Sequence, residues 1–94
     1  MLKKENILAK LKEYKKSNSQ IVEIGIFGSY ARDEASEKSD IDIFVKLKKS
    51  NLFLLSRIKL DLEEILNLKV DLIEIREKMN NFLKNRIQKE AISA

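Results

Sequence analysis

Two glycines and no proline punctuate this 94-residue chain. Nothing in it reads as a linker, a repeat or a composition break, so residues 1–94 are expected to form one domain. One of the two glycines, Gly28, closes a β-branched run, Gln20-Ile21-Val22-Glu23-Ile24-Gly25-Ile26-Phe27, and a hydroxyl follows it at Ser29. A strand that delivers the chain to a glycine and then into a short helix brings backbone N–H groups within reach of an anion. The same dipeptide also serves as a plain tight turn, and no Gly-Lys-Ser/Thr follows to make it a Walker loop.

Around that glycine the periodicity alternates between helical and extended. Ile7, Leu8, Leu11 and Tyr14 recur at helical spacing over residues 3–16, and Ser17-Asn18-Ser19 ends that helix. Residues 20–27 read as a strand, 29–36 as one or two helical turns, and Asp40 to Leu47 as a second strand. Leu52, Leu55, Ile58, Leu62 and Ile65 stripe a helix over 51–66, capped at Ser50 or Asn51. Lys69 to Ile75 reads as a third strand, and Met79, Phe82, Leu83 and Ile87 give one apolar face to a last helix ending near residue 91. The order αβαβαβα predicts an α+β fold: a small mixed sheet of three to four strands with helices packed around it and the middle helix as a crossover. Tyr30, Phe53, Leu54 and Phe82 are the candidates for a partner-facing surface if the core cannot take them all.

Cysteine and histidine are absent, which removes disulfides, zinc fingers, haem ligation and every Ser-His or Cys-His pair. Chemistry must rest on carboxylates, hydroxyls, Lys, Arg or a borrowed metal. The whole net charge of +4 lies in residues 1–16, with six Lys against two Glu, while residues 17–94 balance at 13 against 13. That pattern reads as a solvated helix face and argues against nucleic acid as a partner. Apolar runs of four to six residues are too short for a membrane span, and no signal-peptide core follows Met1-Leu2-Lys3-Lys4-Glu5, so a cytoplasmic location is expected.

The residues that ask for chemistry are acidic. Asp40 and Asp42 stand at i and i+2 where the second strand opens, a spacing that projects both to one face while Ile41, Ile43 and Val45 face the other. Their charges repel with no Lys or Arg between them, a conflict that a hard divalent cation relieves. Turn formation with edge protection is the bland alternative. Asp71, flanked by Val70, Leu72 and Ile73, is out of place in a strand without a partner or a job. If the third strand pairs beside the second, Asp71 faces the same site and completes three carboxylates around a metal pair.

Gly28-Ser29, ten residues, Asp40-Ile41-Asp42 and then Asp71 one helix later resemble the signature of the DNA polymerase β nucleotidyltransferase superfamily. More narrowly, Gly28-Ser29-Tyr30-Ala31-Arg32 and the run from Lys38 to Val45 resemble the minimal nucleotidyltransferases, small antitoxins encoded beside HEPN-domain ribonuclease toxins. The resemblance spans residues 20–75 and implies a palm-like fold. It implies that Gly28 and Ser29 bind the triphosphate of ATP and that Asp40 and Asp42 ligate two Mg²⁺ ions. Asp71 would hold the catalytic metal near the attacking hydroxyl and take its proton. Arg32 matches the family's usual arginine, where it touches phosphate or braces the loop. The implied activity is transfer of AMP from ATP to a protein hydroxyl with loss of pyrophosphate; in the type VII antitoxins the acceptor is a tyrosine of the HEPN toxin. Asp33 departs from the glycine that many relatives carry, and weakens nucleotide binding unless it points to solvent.

Two other readings stay open on the sequence. One is a non-catalytic module of the same fold that neutralises its partner by occlusion. The other is an RNA-associated protein using the Lys-rich first helix, which the balanced charge of residues 17–94 argues against.

Overall fold

A computed structural model describes residues 3–36, 38–76, 79 and 81–94; Met1 and Leu2, where the search for a signal peptide begins, lie outside the described residues, as does Asn80 within the span of the last expected helix. The elements run α1 (Lys4–Lys16), β1 (Ile21–Phe27), α2 (Gly28–Ala31), β2 (Ile41–Leu47), α3 (Leu52–Leu66), β3 (Val70–Glu74), α4 (Asn81–Glu90) and β4 (Ile92–Ser93). The strands form one mixed sheet in the order β3-β2-β1-β4. β1 is antiparallel to β2 and β4, whereas β2 and β3 run parallel, and α3 makes the crossover that a parallel pair requires.

β4 is the element that periodicity misses. Two residues are too few to alternate, and the last helix stops at Glu90 to make room for them. Gly25 admits this strand: it pairs with Ser93, and a Cβ on it would collide with the Ile92 carbonyl oxygen and the Phe44 ring. At the other helix ends polar side chains do the work. Asn51 rather than Ser50 caps α3, its side chain accepting from the N–H groups of Phe53 and Leu54, while Ser50 Oγ donates to Glu74. Asn67 ends α3 in the left-handed region at φ 53°, a place that glycine commonly takes.

The pleat of β2 divides its side chains between two environments. Ile41, Ile43, Val45 and Leu47 join Ile24 and Ile26 of β1 in a core with Ile7 and Leu11 of α1 and Ile58, Leu62 and Leu66 of α3. Each fully buried aliphatic there contributes about 1.5–3 kcal/mol of transfer free energy. Asp42, Phe44 and Lys46 take the opposite face of the strand, and Phe44 is buried there. Tyr14 ties α1 to α3 by donating its hydroxyl to Asp61 at 2.7 Å; burial first, and then this bond, push its pKa well up.

Three expectations about packing need correction. The stripe drawn on α3 holds only in its middle: Ile58, Leu62 and Leu66 are buried and Leu55 half-buried, but Leu52 is 80% exposed and Ile65 faces outward. A helix turns once in 3.6 residues, so successive steps of three drift off the buried face. On α4, Ile87 is buried and Leu83 half-buried, whereas Phe82 points out at 78% exposure. Finally, Tyr30 is a core residue, unlike Phe53, which is 89% exposed; Leu54 is half-buried. Among the described residues no helix is long and apolar enough to cross a membrane.

Candidate functional site

β1 runs into Gly28, which opens the single turn of α2 at φ 70°. That positive φ favours glycine, and the neighbourhood requires it: a Cβ on Gly28 would collide with Oδ2 of Asp42 and stand 3.0 Å from its Cγ. The turn thus lays its backbone against a carboxylate. It then closes on itself, with Arg32, Asp33 and Glu34 N–H groups donating to the carbonyls of Gly28, Tyr30 and Ser29 at 3.1, 3.3 and 2.8 Å. Asp33 occupies a second left-handed position, at φ 59°, which explains why glycine suits that place; Asp is among the residues that tolerate it. Its carboxylate is turned to Lys4 of α1 at 2.9 Å and is largely solvated, so the extra charge is matched away from the turn.

The acidic residues come together in part. In the parallel ladder Asp42 is the register partner of Asp71, and on its other side Asp42 pairs with Phe27, the residue before Gly28. Asp42 is half-buried, and Asp71 and Asp40 are exposed. Burial raises the pKa of Asp42, and the charge of Asp71, a hydrogen bond shared with it, and the charge of Asp40 push it further up; Arg32 opposes them. Among the described residues no Lys or Arg forms a salt bridge with any of the three. Asp40 precedes β2 by one residue, where the Ile41 N–H donates to Lys69 O, and its charge still reaches Asp42. No three acidic side chains among the described residues are gathered as a ready metal cluster. Two adjacent, unpaired carboxylates nevertheless fit Mg²⁺, which is commonly held by one or two carboxylates, with water and phosphate oxygens completing its shell.

Gly28, Ser29, Arg32 and Asp42 line a cleft of about 330 Å³ with Phe27 and Ile73 from the sheet and Leu83, Arg86, Ile87 and Glu90 from α4. Polar and apolar side chains both line it, and α4 contributes two of each. Arg32 Nε donates to Glu34 at 3.1 Å and Nη1 to Glu90 at 3.0 Å; the Glu34 bond is the main cause of its raised pKa. Arg86 and Glu90 are the cleft residues that reading the sequence passed over. The signal available was their spacing from Leu83 and Ile87, which places all four on one face of α4.

The family of nucleotidyltransferase domains matches residues 8–94. A Methanocaldococcus jannaschii protein, provisionally named a protein adenylyltransferase, is 41% identical over 91 residues, covering 94% of this chain and 91% of the relative. The protein adenylyltransferase MntA of Thermococcus cleftensis is 40% identical over 90 residues, 94% of this chain and 85% of its own. Among solved structures, one provisionally described as a minimal nucleotidyltransferase superposes with a TM-score of 0.80 at 30% identity, over 97% of this chain and 95% of that one. A chain of the Shewanella oneidensis complex between MNT antitoxin and tri-AMPylated HEPN toxin shares the fold, with a TM-score of 0.73 at 20% identity, over 96% of this chain and 70% of that one.

Two outcomes test the geometry. Gly28→Ala is expected to cost about 2–4 kcal/mol in urea unfolding, the sum of a left-handed alanine and an overpacked contact. In an Asp42→Ala background, which removes the clashing carboxylate, only the φ cost of about 1–2 kcal/mol is left. Asp42 tests the electrostatics. Its raised folded pKa means that the metal-free fold binds more protons than the unfolded chain between the ordinary carboxylate value and the raised one. Stability therefore falls as pH rises through that window and levels off above it. Asp42→Asn removes this contribution, so thermal melts without metal should show the variant gaining on the unmutated protein as pH goes from acid to neutral.

Proposed function

Because this chain belongs to the minimal nucleotidyltransferases, we propose that it is a protein adenylyltransferase that acts as one domain over residues 1–94, in the cytoplasm where ATP is at hand. Its reading is an antitoxin of type VII: it transfers AMP from ATP to a tyrosine hydroxyl of a HEPN-domain ribonuclease toxin. The observation that carries the proposal is the register of Asp42 with Asp71 beside Gly28: Asp42 lines the cleft against the Gly28 turn, and Asp71 is its neighbour on β3.

Each residue then has a task. Gly28 and Ser29 cradle the triphosphate with main-chain N–H groups and the Ser29 hydroxyl, and Arg32 adds positive charge from the end of the same turn. Asp42 and Asp71, with Asp40 alongside, would hold Mg²⁺, which would neutralise charge on the transferring phosphate and acidify the acceptor hydroxyl. The acceptor oxygen forms a bond to the α-phosphorus as the bond from that phosphorus to the bridging oxygen of the β-phosphate breaks, and pyrophosphate leaves. Asp71 takes the hydroxyl proton. Its exposure suits that task, since the tyrosine must arrive from a second protein.

Incubation of the co-expressed HEPN partner with this protein, ATP and Mg²⁺, followed by intact-mass spectrometry, tests the proposal. Increments of AMP on a partner tyrosine are expected with the unmutated protein, and a loss of at least about a hundredfold in rate with Asp42→Asn. A stable complex without any increment would instead favour neutralisation by occlusion.

A further inference from the structure

α4 closes the cleft with a face that packing alone does not explain. Leu83 and Ile87 are apolar, as a helix lying on a sheet requires, but Arg86 and Glu90 interleave with them on the same face and line the same cavity. Glu90 is bonded through one carboxylate oxygen to Arg32 Nη1 at 3.0 Å, and its other oxygen stands 4.0 Å from Arg86 Nε. Arg32 is also held by Glu34. Arg86 is held much less firmly: its side chain is 60% exposed, and it approaches Glu90 no closer than that long contact. A guanidinium lining a cleft of this kind, loosely tethered on one edge, keeps its fork available for two parallel hydrogen bonds to an anion.

Resting on the adenylyltransferase reading, we propose that Arg86 is a phosphate-binding residue that meets the β- and γ-phosphates of ATP, and that Glu90 is the positioning residue that aims Arg32 and Arg86 at one polyphosphate. Their order along the cleft follows from attachment. The reacting α-phosphorus must lie beside Asp42 and Asp71. Arg32 belongs to that end: its backbone N–H donates to Gly28 O, Gly28 abuts the Asp42 carboxylate, and the Arg32 charge reaches Asp42. Arg86 reaches in from α4 and, among the described residues, connects to Arg32 across Glu90, so it meets the outer phosphates, the part that leaves as pyrophosphate.

Calorimetric titration of the whole protein with ATP and with AMP, in Mg²⁺, separates the possibilities. Arg86→Ala should weaken ATP roughly tenfold or more, the loss of one charged hydrogen-bonding group, and leave AMP within about twofold. Arg86→Lys should recover only part, because a point charge lacks the fork. Glu90→Ala should reduce ATP affinity in the same direction, and Glu90→Gln, which keeps an acceptor for Arg32, should restore part of it. Lys89→Ala, the same charge change on a residue that does not line the cleft, should change neither. An unchanged ratio of ATP to AMP affinity in Arg86→Ala, whether both nucleotides are kept or both weakened equally, overturns the proposal. If the unmutated protein binds no ATP at all, the adenylyltransferase reading itself fails and takes the proposal with it.

Discussion

The backbone ladder between β2 and β3 holds two like charges, Asp42 and Asp71, side by side. The repulsion is only partly offset by the Arg32 charge, since no basic side chain among the described residues is bridged to either one. Such an arrangement lowers stability at neutral pH and is kept only because the rest of the fold over-determines it. The crossover α3 fixes the parallel register by burying Ile58, Leu62 and Leu66, and β1 fixes the other side by setting Phe27 against Asp42. Gly28 then has to be glycine, because the carboxylate fills the space a side chain would need.

The two faces of the sheet divide the labour. The face beneath α1 and α3 is an ordinary aliphatic core and supplies the rigidity. Between the other face and α4 lies the cleft, where polar groups mix with the apolar side chains of Phe27, Ile73, Leu83 and Ile87. Such a mix suits a nucleotide, with a charged tail and a flat ring, better than it suits a simple anion. Arg32 is held by Glu34 and Glu90 and so is oriented before a ligand arrives, whereas Arg86 is tethered only loosely to Glu90.

How much of this was legible in the sequence depended on how local the cause was. Alternation over seven residues identified β2 and its buried set of Ile41, Ile43 and Val45, and the strand-glycine-hydroxyl pattern located Gly28 and Ser29. Asp71 was legible as a residue out of place, though its pairing with Asp42 needed the register, a fact of three dimensions. The outer positions of the α3 stripe went astray because steps of three do not follow a 3.6-residue turn, and Tyr30 was misplaced because its burial depends on distant packing. β4 was too short to leave a pattern. Arg86 and Glu90 were hidden by their ordinariness, an i, i+4 pair like any on a solvated helix until α4 is laid over the cleft. Asp33 is the reverse case: its departure from glycine looked unfavourable, but Lys4, 29 residues away in sequence, takes up its charge.

The account stands or falls on Asp42 and Asp71 acting together as a cation-dependent nucleotide site. Paramagnetic broadening of amide resonances by Mn²⁺ in the presence of ATP tests that most directly, because it reports position rather than turnover. The account predicts broadening that is strongest at Gly28, Asp42 and Asp71 and is lost in Asp42→Asn. Broadening centred on another acidic surface, such as Glu63 and Glu64 of α3, or a pattern indifferent to Asp42→Asn, would contradict it.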